Sequence, residues 1–71
     1  MRREPVDSEA LASVGYDRDA RELEIEFTSG ALYRYLDVPE SVHVGLMTAA
    51  SHGEFFAQHI RDAGFDFRQL H

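Results

Sequence analysis

Seven residues have the types and spacing that chemistry would use: Ser51, His52, Gly53 and Arg61 toward the C-terminal end, and Tyr33, Arg34 and Tyr35 in the middle. Ser51-His52-Gly53 precedes a helical pattern, so backbone amides should point outward there and Gly53 should let a ligand come close. Such a turn suits a phosphate or carboxylate, with His52 and either Arg61 or Arg68 adding positive charge. A plainer reading stands beside it. Ser51-His52-Gly53-Glu54 is a capping box, in which the Glu54 carboxylate already takes part of an anion's place. Tyr33 and Tyr35 likewise have two readings, as platforms for stacked bases or as packed core rings.

Other chemistries lack their residues. Four histidines suggest a metal, but His52 and His59 lie seven residues apart, roughly 10 Å along a helix, too far to share an ion. His43 and His71 have no ligand at i+3 or i+4. Asp17-x-Asp19 lacks the further oxygen ligands and the glycine of a calcium loop, and reads as a turn. There is no nucleophile elbow, no Gly-rich phosphate loop and no His spaced with a suitable Ser and Asp. The expectation is a non-enzyme without cofactor or metal, too small for the usual enclosed pocket of about 300 Å³ or more.

The elements that must position these residues are legible in the pattern. Leu23, Ile25 and Phe27 alternate with Glu24, Glu26 and Thr28, and Ser29-Gly30 leads into Ala31 to Leu36, a β-hairpin signature. A three-residue loop, Thr28-Ser29-Gly30 with Gly30 left-handed, pairs Phe27 with Ala31, Ile25 with Tyr33 and Leu23 with Tyr35. Both tyrosines then join the apolar face, and Arg34 faces Glu24 on the solvent face between Glu22 and Glu26. A two-residue loop would set Arg34 against Ile25 and bury a charge without a partner.

Upstream, Leu11 to Tyr16 reads as a first strand with Ala12, Val14 and Tyr16 on one face, closed by a turn at 17–20. Downstream, Pro39 at a first helical position opens a helix carrying Val42, Leu46, Ala49 and Ala50 as a stripe to about residue 50. A second helix follows Ser51, with Phe56, Ile60 and Ala63 facing the core and Gly64 ending it. Phe65-Asp66-Phe67 reads as an extended tail covering the core edge. The predicted fold class is α+β: a three-stranded antiparallel β-meander followed by two short helices packed on one face.

Seventy-one residues allow one core, and a chain this short buries only about 60% of its unfolded surface. Without cysteine, packing alone must hold it. Thirteen acidic residues against seven arginines and no lysine give a charge of −6, which repels phosphate backbones at long range unless a local basic patch exists. With no long apolar run, the expectation is a cytoplasmic protein without a membrane segment.

In order, Val6-x-Ser8, Leu11, Val14-Gly15-Tyr16-Asp17, Leu23-x-Ile25-x-Phe27, Gly30, Tyr33-x-Tyr35, Val38-Pro39, Ala50-Ser51-x-Gly53-x-Phe55-Phe56 and Ile60-Arg61 resemble the KTSC domain. The resemblance spans nearly the whole chain. It implies a small bacterial module, found alone or at the C-terminus of some lysyl-tRNA synthetases, with RNA or an RNA-associated protein as expected partner. Two positions depart: His52 stands where relatives often have a basic residue or Pro, and Ala57 where they commonly have Asn. The expected organisation is a flexible N-terminal segment, 1–9, and a single KTSC-like domain, 10–71. An alternative function is a protein-interaction module using the outer sheet face, where Leu32 and Leu36 flank Arg34.

Overall fold

The hairpin at the centre of the sequence organises the molecule, and a computed structural model describes residues 1–71 around it. Strand β1 is Arg3–Pro5, β2 Leu11–Asp17, β3 Glu22–Phe27 and β4 Leu32–Tyr35. Helices α1 (Glu40–Thr48) and α2 (His52–His59) follow, then a 3-10 turn, Arg61–Ala63, and β5 (Phe67–Gln69). The fold is α+β, as expected. The sheet, however, has five strands rather than three, all antiparallel, in the order β1-β2-β3-β4-β5.

Both added strands lie at the edges and have three residues, too few for a period-two pattern to register. Residues 3–5, placed in the N-terminal segment expected to be flexible, pair with 13–15, and Pro5 is tolerated because an edge strand leaves its amide side unpaired. Phe67, expected in a tail, instead opposes Tyr35. The helices are therefore an insertion between β4 and β5.

The central register follows the turn. Leu23 opposes Tyr35, Ile25 opposes Tyr33, and Glu24 opposes Arg34. The Phe27 amide donates to the Ala31 carbonyl at 2.8 Å, and Gly30 sits at φ 96°, a left-handed conformation that glycine adopts without a Cβ penalty. In β2 the pairing skips a residue between Leu11 and Ser13, a bulge that turns Leu11 inward in place of the expected Ala12. At the β2–β3 turn, one Asp17 carboxylate oxygen accepts from the amides of Asp19 and Ala20, an Asx turn.

The core lies between the inner sheet face and the helices. Leu11, Val14, Leu23, Ile25, Tyr35 and Val38 meet Leu46, Phe56 and Ile60. Phe27 and Tyr33 are half-buried and pack against this cluster. Pro39 is extended, at φ −63° and ψ 149°, and so caps α1 from outside instead of occupying its first turn. Helix α1 ends at Thr48 because Ala49 is already extended. Ala63, expected to face the core, is exposed, since the chain breaks from α2 into the 3-10 turn at Ile60 before Gly64 reverses it at φ 85°. The helices approach closely at Gly45, where an added Cβ would fall 2.5 Å from the Phe55 ring.

Candidate functional site

The inter-helix turn forms with only the Ser51 half of the expected capping box, since the Glu54 carboxylate makes no hydrogen bond back to the Ser51 amide. Ser51 is the N-cap of α2, and its hydroxyl accepts from the Glu54 amide at 3.2 Å. His52 turns back, its Nδ1 donating to the Leu46 carbonyl at 2.8 Å, so the ring joins α1 to α2. The hollow beside the turn, about 390 Å³, has Asp7 and Glu9 from the N-terminal segment on one side and Glu54 on the other. Its charge is negative, and neither Arg61 nor Arg68 reaches it. Ser51, His52 and Gly53 are thus together, but the cations that an anion would need are elsewhere. Ser51→Ala is expected to lower stability by about 1 kcal/mol with the fold intact, measured by denaturant unfolding.

Arg61 stands instead at the rim of an aromatic groove on the inner face of the β4–β5 end of the sheet, about 600 Å³ in volume. The sheet is five strands wide while both helices are short, so this end is only partly covered. Tyr33 and Tyr35 are two residues apart on β4 and therefore share a face. Their ring centroids lie 6.2 Å apart with planes inclined by 23°. Phe67 from β5 stacks on Tyr33 at 5.5 Å and tilts against Tyr35 at 5.7 Å. Phe27 meets Tyr33 edge-on at 5.7 Å, and Phe56 meets Phe27 at 5.2 Å and Tyr35 at 5.9 Å. The offset and edge-to-face arrangements are those the ring quadrupole favours.

The groove joins packing to exposure. Tyr35 is 5% exposed and anchored in the core, whereas Phe67 is 56% exposed and offers a ring to solvent. Burial, and secondarily Tyr33, push the Tyr35 hydroxyl up to about 12. The Arg61 guanidinium is exposed and held only by Asp62, Nε to Oδ1 at 3.1 Å, an ion pair weak enough in water to exchange for another anion. A flat apolar ring could stack here while an anionic group met Arg61. The hollow is an open groove without enclosing walls, which is a different thing from an enclosed pocket.

The outer face is organised differently. Arg34 faces Glu24 as the register requires, but Glu24 is buried rather than solvated. Its carboxylate accepts from Arg34 Nη2 and from Arg3 Nη1, both at 3.1 Å. Arg3 reaches it over Gly15, the intervening residue of β2, where an added Cβ would lie 3.0 Å from the Arg3 stem. Arg34 is therefore committed to an internal network and separated by the sheet from Tyr33 and Tyr35. Leu32 and Leu36 are half-buried beside it.

Phe56 and Phe67 were legible as apolar residues, but not as groove walls. The available signal was Phe65-x-Phe67, a second aromatic pair at the spacing of Tyr33-x-Tyr35, which could be assigned to the same face only once the strand was known. No group of three or more His, Asp or Glu side chains could hold a metal ion. No helix is long and apolar enough to cross a membrane.

Comparison with known proteins places this geometry in a family. The KTSC domain model matches residues 7–65. An uncharacterized protein of Stutzerimonas stutzeri (strain A1501) is 48% identical over 58 residues, covering 82% of each chain. A lysine–tRNA ligase of Nostoc punctiforme is 38% identical over 60 residues, 84% of this chain but 10% of the ligase. The crystal structure of a KTSC domain protein from Yersinia pestis is 43% identical and superposes with a TM-score of 0.93, covering 99% of this chain and 97% of that one. This chain belongs to the KTSC domain family.

Proposed function

We propose that this KTSC domain is a non-enzymatic, cytoplasmic binding module that associates with RNA by stacking unpaired bases in the aromatic groove. The observation that carries the reading is the convergence of Tyr33, Tyr35 and Phe67 with Arg61 on one open groove. Base-on-aromatic stacking tolerates sequence and contributes about 1 to 3 kcal/mol per base. The similarity to a segment of a lysine–tRNA ligase supports the same partner class. Ser51, His52 and Gly53 take a structural role in this reading, because their surroundings are acidic.

The charge of −6 limits affinity, so binding should be weak and strongest at low salt. Titrating single-stranded RNA into the ¹⁵N-labelled protein is expected to shift the amides of Tyr33, Tyr35 and Phe67 before any others. Arg61→Glu should weaken binding while leaving stability within about 0.5 kcal/mol, as a surface change does. First shifts at His52 and Gly53 would transfer the site to the inter-helix turn. No shift at low salt would sink the RNA reading and favour protein interaction through the outer face at Leu32 and Leu36.

A further inference from the structure

The groove lies on the inner face of β5, and β5 is the last strand of the sheet, so what occupies the groove also meets a free edge. Hydrogen bonds alternate along that strand. The Leu36 amide donates to the Asp66 carbonyl at 2.8 Å and the Leu70 amide to the Leu32 carbonyl at 2.7 Å. The even-numbered residues thus bond to β4, and the amides of Phe67 and Gln69 are directed outward.

Arg68 lies between those two residues, and its side chain is on the face opposite Phe67. It is exposed and forms no ion pair, whereas its cross-strand neighbour Arg34 is held by Glu24 at 3.1 Å and Glu22 at 3.8 Å. With the charge of Arg34 already taken up by two carboxylates and none paired with Arg68, the Arg68 guanidinium is open to an external anion.

Resting on the reading of the groove as a base-stacking site, we propose that the bound RNA is a short single strand that passes over the free edge of β5, with Arg68 and Arg61 contacting its phosphates on either side of the stacked bases. The outward amides of Phe67 and Gln69 are further donors along that path. A path around one strand edge suits an unpaired segment of about two or three stacked bases, as on other sheet platforms. A duplex, whose bases are already paired and stacked, could not enter.

The test measures fluorescence anisotropy of a dye-labelled oligouridylate of about ten nucleotides, within the range of small single-strand modules, with the full chain at several low salt concentrations. Each phosphate contact contributes about 0.7 to the magnitude of the slope of log affinity against log salt. Arg68→Ala is expected to reduce that magnitude by about 0.7, as is Arg61→Ala. Arg18→Ala, an equal charge loss in the β2–β3 turn, should leave it unchanged, and all three should melt with the parent. Binding by the parent that shifts Tyr33 and Phe67, with an Arg68→Ala slope equal to the parent's, would overturn the proposed path and leave the groove reading standing. Equal loss of slope in Arg18→Ala would overturn it too, since net charge would then be the cause. Absence of binding by the parent, or binding insensitive to salt, would overturn both.

Discussion

Glu24→Ala is expected to destabilise the domain by about 2 to 3 kcal/mol, although strand alternation alone places Glu24 on the solvent face. Removing one member of a fully buried ion pair costs about 3 to 5 kcal/mol, because the other charge is left without a partner. Here two arginines lose the same carboxylate, and each is about a third exposed, with side-chain exposures of 32% and 35%. Water therefore recovers part of the loss. Arg34 Nε is already buried without a hydrogen bond, with Glu22 Oε1 3.8 Å away, so the site has little slack. Glu26→Ala, which removes only a half-buried acceptor of the Ser13 hydroxyl, should cost less than half as much. Denaturant midpoints of the two variants decide the matter. Glu24→Ala within about 0.5 kcal/mol of the parent would mean that solvation of the arginines fully replaces the carboxylate.

Phe56→Ala carries the largest expected loss, about 3 to 5 kcal/mol, out of the roughly 4 to 10 available to a domain of this length. Phe56 is 9% exposed and holds two ring contacts at once, with Phe27 and with Tyr35. Its loss removes transfer energy and opens a void beneath the groove. At about 4 to 8 °C per kcal/mol for a domain this small, the variant should melt more than ten degrees below the parent by calorimetry or circular dichroism. A melting point within a degree of the parent would remove Phe56 from the core. Phe67→Ala provides the contrast. That ring is mostly exposed and stacks only on Tyr33 and Tyr35, so its removal should cost far less stability while taking away the open face of the groove.

The sequence alone determined the hairpin and its register. Strict alternation from Leu23 to Phe27, with a glycine placed for a left-handed turn, leaves one pairing that avoids burying Arg34 against Ile25, and that pairing forms. Ser51 as the start of α2 was also legible, because caps depend on hydrogen bonds spanning only a few residues, whereas Gly64, read as the end of that helix, ends the 3-10 turn that follows it. The family pattern was readable for the same reason, as an ordered set of local features.

Tertiary structure decided everything that joins distant segments. Strands β1 and β5 arise because the edges of a central hairpin offer unpaired backbone groups, which three-residue segments can satisfy with no side-chain pattern of their own. The burial of Glu24 depends on Arg3 crossing over Gly15 from one such strand. Arg61 belongs to the aromatic groove and not to the turn at Ser51 because it follows the break at Ile60, at the opposite end of α2 from that turn. The groove itself exists because β5 returns beside β4 and brings Phe67 to Tyr33 and Tyr35. Sequence periodicity reports which face of a strand is apolar, but only the closing of the sheet fixes which strand lies next to it.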